Sequence, residues 1–186
     1  MSVKATRGDT IVEVIVAFTI FAMAAVAAVA IMNRGIAMSQ RSLEITLVRQ
    51  QIDSQADVLR FARDNKTSAW TEIKARSTGA ATVQTAARSV CPKDLASLPN
   101  GSFYLNPSQT SVDLVKLRGG LASSYSPAET YARVGTNLTT PKSYGLWIQP
   151  IRVDDTTFDM YINACWDTVG SEIPQTLRTI VRLYES

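Results

Sequence analysis

Few residues in this chain can do chemistry. It holds no histidine, so the commonest general base and the commonest metal ligand are both missing. No serine or cysteine has a histidine partner, which excludes a hydrolase triad. Asp154, Asp155 and Asp159 cluster oxygen ligands of the kind calcium takes. They lack the Asp-x-Asp-x-Asp-Gly spacing, and a hairpin turn accounts for Asp154-Asp155 on its own. No catalytic residue, cofactor site or metal site is therefore assigned. Two features remain. Cys91 and Cys165 are the only cysteines. Glu13 is a carboxylate at the mouth of an apolar run, where a bare charge is expensive and calls for a partner.

That run positions Glu13. Residues 14–32 are apolar except for Thr19. As helix they measure about 28 Å, enough to cross a bilayer. A polar leader, residues 1–8, precedes them; it contains Lys4 and Arg7 and ends in Gly8, five residues before Glu13. The basic leader predicts that the N-terminus stays cytoplasmic and the bulk crosses. Export bears on the cysteines. An exported chain with two cysteines makes one intrachain disulfide, whereas a cytosolic domain would hold two buried thiols. The membrane segment favours a Cys91–Cys165 bridge, whose 74-residue loop would contribute about 4 kcal/mol in the chain-entropy account.

A basic leader ending in glycine, a glutamate five residues on, and a hydrophobic helix resemble the N-terminus of type IV prepilins and pseudopilins. Glu13-Val14-Ile15-Val16-Ala17-Phe18, the alanines that follow, Asn33, Leu43-Glu44 and Gln50-Gln51 are most similar to the minor pseudopilin I of type II secretion and the PilV-type minor pilins. The likeness covers about the first 55 to 60 residues. It implies that a prepilin peptidase cuts after Gly8 and that Asp9 becomes an N-methylated N-terminus. It implies that Glu13 pairs with the terminal amine of a neighbouring subunit. Other pilin or pseudopilin subunits, met through the N-terminal helix, and an inner-membrane assembly platform would be the partners. Asp9 stands where the family has Phe or Met. Its carboxylate competes for the amine, which fits a subunit used at a tip or in few copies.

Other readings of the N-terminus exist. Ala28-Val29-Ala30 satisfies the rule for an ordinary signal-peptidase site, but Asp9 and Glu13 would then lie against the hydrophobic core of the signal. A single-pass anchor that is never cut leaves the Gly8-to-Glu13 spacing without a purpose. Arg7-Gly8-Asp9 spells an integrin-binding tripeptide that the proposed cleavage would split.

The formal charge of +3 is largely a leader effect. Without Lys4 and Arg7, 17 basic residues face 16 acidic ones, which gives little support to nucleic-acid binding. Arg63, Lys66, Lys74 and Arg76 near Trp70 form a basic–aromatic patch of the DNA-binding type, but solvated helix charges account for it.

No proline precedes Pro92, and Gly35 is the only glycine between Gly8 and Gly79. A helix is predicted from Thr10 to a stop at Asp64-Asn65-Lys66-Thr67, about 80 Å long. Ile45, Val48, Ile52, Ala56, Leu59 and Ala62 share one face, with Arg41, Glu44, Arg49, Asp53, Asp57 and Arg60 largely off it. In the first half, Ala22, Ala24, Ala25, Ala27, Ala28 and Ala30 permit close helix approach in lipid. A short helix over 67–76 and short strands at 103–105 and 112–117 follow. Residues 119–143 read as a variable surface loop. Strands at 144–153, 157–166 and 176–184 make an antiparallel meander, with Pro150 marking an edge.

The expected fold is α+β: a long N-terminal helix packed on a C-terminal antiparallel sheet of three to four strands. The domains are leader 1–8, filament-core helix 9–32, amphipathic helix 33–64 and head 65–186, the last split into an irregular insert 77–143 and a meander 144–186. The expected function is a non-enzymatic structural subunit of a type IV pilus or pseudopilus. It would be a single-pass protein of the cytoplasmic membrane, then part of a periplasmic or extracellular filament. A tip adhesin or DNA-uptake receptor with its specificity in 77–143, and an unprocessed membrane-anchored ectodomain, are the alternatives.

Overall fold

The computed structural model describes residues 9–79, 90–107, 111–135, 140–168, 171 and 173–185. The leader, with Gly8, lies outside the described residues, and so does the side chain of Asp9. Contacts divide the chain into two compact units, Met1–Arg41 and Ser42–Ser186.

A helix, α1, spans Asp9–Asp64. Among the described residues it is the one helix long and apolar enough to cross a membrane. It ends where the polar stop lies. The Asn65 and Thr67 amides donate to the Phe61 and Ala62 carbonyls, and Lys66 takes a left-handed backbone at φ 47°. Thr67 then caps a second helix, α2 (Ser68–Arg76), by accepting the Trp70 amide at 3.4 Å.

In the Ser42–Ser186 unit, Val48, Ile52, Ala56, Leu59 and Ala62 are all buried, as their spacing predicts. Val48, Ile52, Ala56 and Leu59 belong to one core with Trp70 and Ile73 of α2 and the inner face of a sheet. That sheet is built from β1 (Thr78–Gly79), β2 (Phe103–Pro107), β3 (Val112–Lys116), β7 (Leu146–Arg152), β8 (Thr157–Trp166) and β9 (Gln175–Tyr184). Its order is β3-β2-β7-β8-β9, antiparallel throughout, with β1 lying parallel to β7. The α+β class and the C-terminal meander are as expected, but five strands form the path rather than three to four. The additional members, β2 and β3, are the short strands expected at 103–105 and 112–117, here joined to the meander in one sheet.

Two other expectations fail. Residues 119–143 are not one loop. They hold β4 (Tyr125–Ser126) and β5 (Arg133–Val134), which flank β6 (Ser143–Tyr144) in a small second sheet. Pro150 does not mark an edge either, since β7 lies inside the sheet. On the side away from β8, β7 pairs only at Ile148, Ile151 and Arg152 among the described residues, so no ladder bond is asked of position 150 there.

That gap has a second consequence. β2 touches β7 at the single pair Phe103–Ile148 and then departs from it. Gln55 of α1, itself buried, fills the wedge. Its Oε1 accepts the Leu105 amide at 2.9 Å and its Nε2 donates to the Leu105 carbonyl at 2.8 Å. A helix side chain thus replaces a missing strand partner. Gln55→Leu keeps the bulk and leaves both backbone groups buried and unpaired. It is expected to cost roughly 2–4 kcal/mol, read by chemical denaturation. A loss below about 1 kcal/mol would mean that water replaces the carboxamide.

Candidate functional site

The Met1–Arg41 unit presents the first candidate. From Ile11 to Met38 its large apolar side chains are at least half exposed; Phe18 and Phe21 are 71% and 70% exposed. A water-soluble protein does not leave such a surface open, because each uncovered side chain forfeits about 1.5–3 kcal/mol of burial. Thr19, the lone hydroxyl in the run, donates to the Ile15 carbonyl at 2.8 Å. The helix therefore satisfies its own polar groups, as hydrocarbon requires. Glu13 lies on this unit, exposed, and among the described residues its carboxylate has neither hydrogen bond nor ion pair. Gly35 is open as well: a Cβ there would meet nothing within 4 Å.

The second candidate is the cysteine pair. Cys91 and Cys165 are joined by a disulfide, 74 residues apart in sequence. Cys165 lies near the end of β8, and its amide donates to the Gly145 carbonyl at 2.8 Å. Gly145 takes φ +63°, and a Cβ there would stand 2.2 Å from the Cys165 carbonyl oxygen. Only glycine fits. The Tyr125 hydroxyl donates to the Pro92 carbonyl at 3.1 Å, so the Cys91 segment is held twice. The bridge fastens the insert to the sheet, and both sulfurs are consumed by that role.

Most of the remaining sequence candidates are engaged elsewhere. Asp154 accepts the Thr156 amide at 2.8 Å and its hydroxyl at 3.1 Å. These bonds, the backbone one foremost, hold its pKa below the usual carboxylate value. Asp159 is engaged by Arg182 through two bonds of 2.7 and 2.8 Å, which push the guanidinium pKa up. Trp70 is buried edge-to-face against Phe158, with ring centroids 5.5 Å apart. It offers no surface for a base to stack on. Arg63 pairs with Asp64, and Lys74 with Glu185. Tyr104 is fully buried, and burial pushes its phenol pKa up, so it stays neutral.

Three polar side chains on α1 matter more than their type suggested. Besides Gln55, the Gln51 Oε1 accepts the Val134 amide at 3.2 Å. Glu44 accepts the Trp166 indole at 3.1 Å and the Thr168 hydroxyl at 3.2 Å. Glu44 was expected off the packed face; it lies at its border and ties α1 to the end of β8. The available signal was spacing: 44, 51 and 55 recur at seven and four beside the apolar stripe.

No protein-family model, curated protein or solved structure matches this chain.

Proposed function

We propose that the chain is a non-enzymatic filament subunit, a minor pilin or pseudopilin, held in the cytoplasmic membrane by α1 before assembly. The observation that carries this reading is the change of character within α1. Its first part is apolar and exposed on every side, and its later part is a stripe buried against a disulfide-tied sheet. A plain membrane anchor needs only the first part. A fibre needs a helix that serves lipid first and neighbouring copies afterwards, joined to a head that folds around its continuation. In this reading Gly8 is the cleavage position and Asp9 the new, methylated terminus. Glu13 neutralises the amine of a neighbouring subunit, offsetting the desolvation of both charges and setting register. The head then reaches the periplasm or the exterior, where its disulfide is stable.

N-terminal sequencing of the membrane and filament fractions tests this. The mature chain is expected to start at Asp9. A start at Ile31 would indicate an ordinary signal peptidase. A start at Met1 or Ser2 would indicate an uncut anchor and remove the assembly role of Glu13.

A further inference from the structure

One face of the β5–β6 hairpin gathers two cations onto tyrosine rings. Arg133 and Tyr144 are cross-strand partners, and Tyr131 and Lys142 lie two residues from them on the same side. The Arg133 guanidinium sits 5.3 Å from the centroids of both the Tyr131 and Tyr144 rings. The Lys142 ammonium sits 5.4 Å from that of Tyr144. Two like charges thus share one ring, and among the described residues neither has a carboxylate partner. Cation–π contact orients the pair without neutralising it.

A concavity of about 680 Å³ opens beside them, bordered also by Gln51, Ser123 and Gly135. That is the size of an ordinary small-molecule site. Gly135 lets its wall pack closely: a Cβ there would stand 3.1 Å from the Lys142 carbonyl oxygen and 3.4 Å from the Tyr144 ring. The Gln51 carboxamide is fixed through its oxygen by the Val134 amide, which leaves its NH₂ as a positioned donor. Charged groups and neutral hydrogen-bonding groups therefore border the same space.

We propose that this concavity binds an acidic saccharide. A sugar carboxylate would lie against Arg133 and Lys142, and ring hydroxyls would meet Gln51 and Ser123. The planar guanidinium matches a carboxylate bidentately, and the neutral border suits hydroxyls. Nucleic acid fits less well. Residues 42–186 carry 15 basic and 14 acidic side chains, a near-balance that gives a row of phosphates little overall attraction. This inference does not depend on the membrane helix or its processing.

The test is calorimetric titration of the full-length protein in detergent with trigalacturonate, an uncharged galactose trimer and a short single-stranded DNA. Trigalacturonate is expected to bind, with the neutral trimer weaker by about tenfold or more, the loss of a charge-assisted contact. Arg133→Gln and Lys142→Gln should each weaken trigalacturonate by about tenfold without moving the thermal unfolding midpoint, since neither side chain is in the core. Arg133→Lys should fall between, having the charge without the fork. The proposal is overturned by no trigalacturonate binding, by equal binding of the neutral trimer, by tighter binding of DNA, or by unchanged affinity in both glutamine variants.

Discussion

Glu13→Ala is expected to keep this protein out of filaments while leaving its membrane insertion intact. The two outcomes separate because the carboxylate has opposite effects in the two places. In the single chain Glu13 has no partner among the described residues, so its removal makes insertion easier. In a fibre, alanine would leave a neighbour's amine uncompensated in hydrocarbon. Breaking one partner of a buried pair costs roughly 3–5 kcal/mol, a hundredfold or more in each subunit contact. Immunoblots of sheared filaments and of membranes measure both arms. Glu13→Gln removes the charge but keeps an acceptor, and should assemble better than alanine and worse than the native chain. Wild-type assembly of Glu13→Ala would refute the pairing role for this subunit.

A fragment beginning at Asn33 is expected to be soluble and to unfold cooperatively under oxidising conditions. One beginning after Asp64 should aggregate. The longer fragment retains the whole Ser42–Ser186 unit, including the stripe, Gln55, the disulfide and the sheet. The shorter one loses Val48, Ile52 and Leu59, each at most 1% exposed. At about 1.5–3 kcal/mol per side chain, these three alone supply roughly 5–9 kcal/mol. That is comparable to the total stability of a typical domain, about 5–15 kcal/mol. The shorter fragment also strands the Leu105 backbone and bares the sheet face. Light scattering with urea unfolding decides the matter. A shorter fragment that is equally soluble and cooperative would show that the stripe is not the cover of the sheet.

The pairs that decide the head were not readable in advance, and particular residues show why. Gln55 looks like any glutamine on a helix flank. Its importance comes from Leu105, fifty residues away, whose backbone is orphaned only because β2 departs from β7. Pro150 is a sound signal for a strand edge, and it misled because a gap in pairing inside a sheet relieves the missing amide just as an edge does. Residues 119–143 have loop composition, yet strands of two residues need little β-propensity once the Tyr125–Pro92 and Val134–Gln51 bonds hold them.

Contacts between near neighbours along the chain were determined by the sequence alone. The extent of α1 to Asp64, the buried stripe from Val48 to Ala62, the short second helix and the β7-β8-β9 order follow from periodicity and turn residues, because their energetics are settled within a few residues. The tertiary structure alone decided the splay between β2 and β7 that Gln55 fills. It also seated Glu44 against Trp166, gathered Arg133 and Lys142 on Tyr144, and turned Asp159 toward Arg182. These are contacts between segments up to 124 residues apart. Their partners are chosen by how strands register and elements pack, and that information is not carried by any local pattern of residue types.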